Sequence, residues 1–275
     1  MLHIWLSILK NMDYTVYLKL IKTFGNIQYL YKCSKNKSLF YSILVKNNLF
    51  IHYSLFQDMT NENLKIVANK LYSKLKNLRF NIIAINSNEY PKRLMFSYFP
   101  PLFILIKDNL DVNKITVYVD GISNIVLNEK KVFNYILKIS KNNNFNIISS
   151  ENPLLTFKFI NIFSDEDIDD FLYTKESVIG VYYNTDNIKN NKKDYQKYLE
   201  LAFCDFFFLL SSEYNLNIVN NIDICLELGK DIVTIPGSVY DKKYELNNWL
   251  LKQGAICITC KKDFIEYMNS LKYDN

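Results

Sequence analysis

The sequence predicts an α/β protein: an extended Rossmann-like, doubly wound and mainly parallel sheet, preceded by a small helical domain. Three observations carry that prediction. Residues 1–75 read as helical, with apolar side chains at helical spacing. The pattern changes at Asn81, where short apolar runs and prolines enter. From Ile115 onward, continuously apolar segments of strand length alternate with amphipathic segments, as in a parallel sheet covered on both faces. The expected division is 1–78 for the helical domain and 79–275 for the Rossmann-like core.

Trp5, Leu6, Ile8 and Leu9 are followed by Tyr14, Tyr17, Leu18 and Ile21, which keeps one apolar face on successive helical turns. That helix should stop at Phe24-Gly25-Asn26, where Gly25 can take the left-handed C-cap conformation. Thr60-x-x-Asn63 opens a second long helix carrying Leu64, Val67, Leu71, Leu75 and Leu78. Ile82–Ile85 reads as a strand, Tyr90-Pro91-Lys92-Arg93-Leu94 as a turn and Leu102–Ile106 as a strand. Pro101 drives Pro100 out of helical space, so the chain is extended there.

Beyond that point strand Ile115–Val119 leads to helix Asn128–Ser140 and strand Asn146–Ser149. Strand Thr156–Phe163 precedes an acidic helical turn at Asp165–Leu172, and strand Val178–Tyr183 leads to helix Asp194–Phe203. Strand Phe206–Leu210, helix Asn220–Leu228, strand Ile232–Ile235, helix Tyr244–Lys252, strand Ala255–Thr259 and helix Lys262–Leu271 complete the chain. Ligands of such sheets bind at the carboxyl ends of the strands, so the turns after Val119, Ser149, Leu210 and Ile235 border the expected site.

Composition narrows the function classes. At 275 residues, 49% of them apolar, the chain can bury a large core and is not disordered. No apolar run approaches the ~20 residues of a membrane helix. The first ten residues lack a basic leader and a small-residue cleavage site, so a cytoplasmic protein without a signal peptide is expected. Cysteines 33, 204, 225, 257 and 260 are odd in number, and Cys257-x-x-Cys260 has no second pair or histidine cluster to complete a metal site. Reduced thiols and no metal are expected, and neither His3 nor His52 lies near a nucleophile. The net charge of +5 permits nucleic-acid binding, yet abundant Asn, Lys, Ile, Tyr and Phe resemble AT-rich coding and weaken that argument.

Ile235-Pro236-Gly237-Ser238 ends a strand at the ligand edge; Gly237 allows close backbone approach and Ser238 can cap or donate to a phosphate. Taken alone it reads equally as an ordinary strand-ending turn. Val119-Asp120-Gly121-Ile122-Ser123-Asn124 occupies the place of a phosphate cradle, with Gly121 and Ser123 as candidates, but it has one glycine and an Asp that repels anions. Lys189, Lys192, Lys193 and Lys197, interleaved with Tyr195 and Tyr198, offer charges for phosphates and rings for bases; a solvated helix start is the competing reading. Asp165-Glu166-Asp167 with Asp169-Asp170 reads as a helix opening rather than a metal cluster.

Leu226-Glu227-Leu228-Gly229-Lys230-Asp231-Ile232-Val233-Thr234-Ile235-Pro236-Gly237-Ser238-Val239-Tyr240 resembles the "L-E-x-G-R-E-V-F-A-V-P-G-S-I-F" stretch of the DNA-processing protein DprA (Smf) family. Asn247–Ala255 resembles that family's "N-x-L-I-x-x-G-A", and Tyr90-Pro91-Lys92-Arg93-Leu94 with Pro100-Pro101-Leu102 resembles "Y-P-x-x-L…P-P-x-L". Phe24-Gly25-Asn26 is similar to the "F-G-s" of its N-terminal helical, SAM-like domain. The resemblance implies a non-enzymatic protein that binds single-stranded DNA and loads a RecA-type recombinase during DNA uptake or recombination.

Where the family has "G-S-R", this chain reads Asp120-Gly121-Ile122; where it has "S-G-x-A-x-G-I-D", the chain contracts to Ser149-Ser150-Glu151-Asn152-Pro153. The "R-N-R-I-I-A-G-L-S" helix becomes Gln196–Asp205, with only Lys197 positive and Asp205 at the helix-to-strand junction, and "S-G-S" becomes Leu216-Asn217-Ile218. Losing arginine matters because its planar fork grips phosphate in two charge-assisted bonds, each worth roughly 1.5–3 kcal/mol. The expectation is therefore a retained scaffold with an eroded anion pocket. Lys192, Lys193 and Lys197 are expected to contact phosphates, with Gly121, Ser123, Gly237 and Ser238 lining the cleft. No cofactor and no membrane contact are expected, and a homodimer is left open. A scaffold that no longer binds DNA is the alternative. A nucleotide phosphoribohydrolase fits less well, since Pro236-Gly237-Ser238-Val239-Tyr240 lacks the second Gly and the Glu of "P-G-G-x-G-T-x-x-E".

Overall fold

The computed structural model describes residues 1–107, 111–121, 127–143, 145–149, 158–162, 178–182 and 192–271. The chain divides into two compact units, Met1–Leu110 with Phe159–Gln196 and Asp111–Lys158 with Lys197–Asn275.

In the first unit, Asn and Asp side chains set the helix starts. Asp13, Asn26, Asn36 and Asn61 each accept a hydrogen bond from a backbone N–H of the first turn that follows, at 2.8–3.0 Å. They open α2 (Tyr14–Phe24), α3 (Ile27–Cys33), α4 (Lys37–Lys46) and α6 (Glu62–Asn77). Helix α1 (Leu2–Ser7) precedes them and α5 (Tyr53–Met59) lies between α4 and α6. The apolar stretch from Trp5 to Ile21 is therefore two helices rather than one, because the Asp13 cap starts a new helix after the Ile8–Met12 turn. Gly25 ends α2 with φ +78°, as its position predicts. The buried side of α6 is Lys65, Ala68, Leu71 and Leu75, whereas Val67 and Leu78 face solvent. The expected face was rotated because it did not allow for a buried lysine.

Four strands complete this unit in the order β1 (Asn81–Ala84), β2 (Phe103–Ile106), β6 (Val178–Tyr182) and β5 (Lys158–Ile162). Both β1–β2 and β2–β6 are antiparallel, with Ile83 opposite Ile104 and Leu105 opposite Gly180. Strand β2 is wholly buried and packs against α1. The short helix α7 (Lys92–Met95) follows Pro91.

The second unit holds a five-stranded, all-parallel sheet in the order β4-β3-β7-β8-β9. Its strands are β3 (Thr116–Asp120), β4 (Asn146–Ile148), β7 (Phe206–Leu209), β8 (Asp231–Thr234) and β9 (Ile256–Cys257). The helices are α8 (Leu127–Asn143), α9 (Lys192–Phe203, which begins in the first unit), α10 (Leu216–Glu227), α11 (Glu245–Lys252) and α12 (Lys261–Ser270). Helix α10 starts before the expected Asn220 because Asn215 caps it. The expected parallel sheet is thus present, and the antiparallel strands belong to a separate sheet.

Because this sheet is covered on both sides, its strands are apolar throughout. On one face Val117, Val119, Phe206, Phe208 and Val233 meet Phe133, Ile136 and Ile139 of α8 and Phe264 and Met268 of α12. On the other, the rings of Tyr118 and Phe207 stack at 5.5 Å. The acidic segment Asp165–Leu172 lies outside the described residues.

Candidate nucleic-acid interface

Strand order places the ligand edge. The chain runs from β3 outward to β4, then returns to the opposite side of β3 to form β7. The switch point of this sheet therefore falls between the carboxyl ends of β3 and β7, at Asp120-Gly121 and Leu210-Ser211.

That crevice is closed by its own backbone. Gly121 has φ +77°, and a methyl group there would overlap the carbonyl oxygen of Ser211 and come within 2.9 Å of its amide nitrogen. The buried Asp120 carboxylate accepts from the Gly121 N–H at 2.8 Å and from Asn221 Nδ2 at 3.1 Å. A carboxylate of the protein thus takes the donors that would otherwise serve a phosphate. Among the described residues of this turn, Asp120 places a carboxylate where a phosphate would otherwise find donors.

The next turn along the edge, Pro236-Gly237-Ser238, is held by the amide of Asn248. Its Oδ1 accepts from Gly237 N–H and its Nδ2 donates to Gly237 carbonyl, both at 3.2 Å. Gly237 is required sterically, since a methyl group would overlap the Tyr244 ring. Ser238 is exposed, and its Oγ accepts from Tyr240 N–H at 3.3 Å. Tyr244 in turn donates its hydroxyl to Glu129, and Lys243 Nζ lies 2.9 Å from the same carboxylate oxygen. Burial would raise the Glu129 carboxyl, but hydrogen bonds from Tyr244, Lys243 and its own backbone, with the Lys243 charge, hold it below its ordinary value. Burial and the Glu129 bond push the Tyr244 hydroxyl up to about 12.

The expected site residues fall on several elements. Gly121 and Gly237-Ser238 share the carboxyl edge of the parallel sheet, on β3 and β8 with β7 between them. Ser123 lies outside the described residues. Lys192 and Lys193 open α9. Lys197 is committed within the second unit: its ammonium donates to the Tyr118 hydroxyl, lies 5.0 Å from that ring's centroid and 3.5 Å from Glu200. Of the C-x-x-C pair, Cys260 is the N-cap of α12, with its Sγ 3.1 Å from Asp263.

The sequence reading missed what the edge presents to solvent. Tyr240 is 97% exposed and Val239 84% exposed on the loop after β8, beside an exposed Lys242. Tyr214, on the loop after β7, is also exposed. The available signal was an apolar pair that follows a turn and does not continue into any periodic element.

A parallel sheet with crossover helices and a switch point between β3 and β7 defines a Rossmann-type α/β protein. The particular likeness is to DNA processing protein A. The Helicobacter pylori protein, whose structure describes a single-stranded DNA binding mode, matches with a TM-score of 0.52 at 14% identity, over 72% of this chain and 98% of that one. DprA from Streptococcus pneumoniae matches with a TM-score of 0.50 at 16% identity, over 93% of this chain and 98% of that one. The chain has a DprA-like fold. No protein-family model and no curated protein sequence matches it.

Proposed function

We propose that this chain binds single-stranded DNA along the carboxyl edge of its parallel sheet, without catalysing a reaction on it. In the same reading it presents that DNA to a RecA-type recombinase during DNA uptake or recombination. The observation that supports DNA is the nearly fully exposed ring of Tyr240 beside Lys242, on the ligand edge of a fold shared with a protein that binds single-stranded DNA. Stacking on an exposed ring accepts any base, and a neighbouring ammonium accepts the phosphate. Gly237 and Ser238 shape the loop that carries the ring, and Gly121 keeps the adjoining turn close to Ser211. Lys192 and Lys193, at the start of α9, are further phosphate contacts in this reading, while Lys197 serves the packing around Tyr118.

The test is fluorescence anisotropy with a labelled oligothymidylate at two salt concentrations. Tyr240→Ala is expected to weaken binding about 5- to 160-fold, the range of one lost base–aromatic stack. Lys242→Ala is expected to lower the magnitude of the log–log salt slope by about 0.7. Asp120 in the switch point and the inward commitment of Lys197 favour a second reading, a scaffold that has given up DNA. Absence of wild-type binding at either salt concentration would establish that reading instead.

A further inference from the structure

The face of the parallel sheet that α8 and α12 cover is not filled at its carboxyl end. A cavity of about 230 Å³ lies there, within the second unit. Val132 and Ile136 of α8, Phe208 of β7, Ile235 after β8 and Phe264 of α12 form its walls. Phe208 and Phe264, both buried, meet edge to face at 5.8 Å and close its inner end. Lys131, Thr259, Cys260 and Lys261 also line it and are exposed, which marks the mouth. Cores are packed with few voids larger than a water molecule, so a space of this size at the ligand edge of the sheet is a candidate site.

The mouth is cationic. Its other polar groups are tied to one another: Asp263 accepts from the Thr259 hydroxyl at 2.6 Å and from the Thr259 and Cys260 N–H groups at 2.8 and 3.0 Å. The second Asp263 oxygen lies 3.1 Å from Cys260 Sγ. Bonds from Thr259 and Cys260 hold this carboxyl well below its ordinary range, so it stays an acceptor for its own loop. The two lysines have no such partner. Lys261 Nζ stands 4.8 Å from the centroid of the Tyr135 ring, which brings a cation of α12 onto an aromatic face of α8. Lys131 lies one turn before Tyr135 on the same helix face and has no ion pair among the described residues.

An apolar body with one negative charge satisfies both parts. An apolar cavity of roughly 150 Å³ accepts a benzene ring, so the larger space suits a fused bicyclic ring or a chain of about eight carbons. A cationic ligand would meet two ammonium groups. A nucleobase fits poorly, because the side chains of the walls are hydrocarbon and its polar edge would go unmet.

We propose that this cavity binds a small organic acid, with its apolar body between α8 and α12 and its acid group at Lys131 and Lys261. The site goes beyond the single-stranded DNA reading and does not depend on it.

The test titrates the protein with naphthoate, with the uncharged naphthalenemethanol and with octanoate by calorimetry. Naphthoate or octanoate is expected to bind, and naphthoate more tightly than the alcohol that carries the same ring. The order of the two acids decides between an aromatic and an aliphatic ligand, and either order supports the proposal. Absence of binding by both acids overturns it, and so does equal affinity for naphthoate and the alcohol. Lys131→Ala/Lys261→Ala changes only exposed side chains and is expected to weaken naphthoate about 2- to 30-fold while leaving the alcohol as in wild type. An equal loss on both overturns the role of the lysines. Cys260 reports the location. Cys33, Cys204 and Cys225 are buried, so Cys260 is the one exposed thiol of a Cys257→Ser protein. Naphthoate is expected to slow its alkylation by iodoacetamide with the half-saturation found by calorimetry. Binding without that protection places the acid elsewhere and overturns the proposal. Oligothymidylate is expected to leave naphthoate affinity unchanged, and competitive displacement would make the cavity a base pocket instead.

Discussion

Asn247 Nδ2 donates to Thr234 Oγ1 at 2.8 Å, and Thr234 passes the chain on to the Leu209 carbonyl at 3.0 Å. The same amide donates to the Leu210 carbonyl at 3.0 Å, and its Oδ1 accepts from Ser212 N–H at 3.1 Å. One fully buried side chain therefore ties the carboxyl ends of β7 and β8 together. Asn247→Ala would leave the Ser212 donor and the Leu210 acceptor unmet in a dry site. At about 1–3 kcal/mol for each stranded group, the expected loss is about 2–4 kcal/mol after partial relaxation. It should appear as a lower urea midpoint with an unchanged m-value.

The Glu129 cluster predicts how stability responds to pH. The folded Glu129 carboxyl titrates below its ordinary value of 4.5, despite burial, because Tyr244 and Lys243 bond the ionised form. A lowered acid stabilises the fold fully above its unfolded value, and that contribution disappears as pH falls through the lower folded value. Glu129→Gln should therefore cost most at neutral pH and progressively less below about pH 4.5. Tyr244 acts on the alkaline side: its hydroxyl is raised from 10.0 to about 12, so its contribution is present below 10 and lost as pH rises through about 12. Tyr244→Phe should flatten that alkaline limb. Denaturant titrations across both pH ranges check the two signs.

Gly121 and Gly237 separate two reasons for a glycine. At Gly121 both φ and space forbid a side chain, since the Ser211 carbonyl fills the position of a Cβ. At Gly237 only space does, and the obstacle is the Tyr244 ring, part of a side chain. Gly121→Ala is therefore expected to cost about 2–4 kcal/mol, from positive-φ strain added to overpacking. Gly237→Ala is expected to cost about 1–3 kcal/mol, and Tyr244→Ala in the same chain should relieve part of it. A double-mutant cycle by chemical denaturation distinguishes the two cases.

Strands were the most legible feature. Phe206-Phe207-Phe208 and Ile232-Val233 are apolar on both faces, and such runs have few other places in a fold. Pairing direction was not legible: nothing local distinguishes Phe103–Ile106, which pairs antiparallel, from Phe206–Leu209, which pairs parallel. Helix starts depended on single capping residues, so a periodicity spanning Trp5 to Ile21 concealed the break at Asp13. At the edge, Asp120 was legible as a carboxylate standing where a phosphate cradle would lie, and its partners Gly121 N–H and Asn221 were not. The partners of Lys197 were not legible, because a lysine's four-carbon stem reaches inward as easily as outward, and here its ammonium meets Tyr118 and Glu200. Tyr240 was hidden within a family pattern whose exposed positions look the same as its buried ones.

Lys65 tests how the helical segment tolerates a buried cation. Its side chain is 1% exposed, with Nζ 2.9 Å from Glu62 and 5.3 and 5.9 Å from the ring centroids of Tyr31 and Trp5. The two partners are unequal, because Glu62 is largely in water. Removing the lysine charge therefore strands nothing, whereas removing the carboxylate leaves an ammonium buried over two rings. Lys65→Met keeps the apolar stem against Trp5, so stability should change by less than about 1 kcal/mol. Lys65→Ala opens a cavity and should cost about 2–4 kcal/mol. Glu62→Ala should cost about 1–2 kcal/mol in wild type and close to nothing beside Lys65→Met. Trp5 and Trp249 are the only tryptophans in the chain, so in a Trp249→Phe background the Trp5 emission reports this unit directly as denaturant is raised.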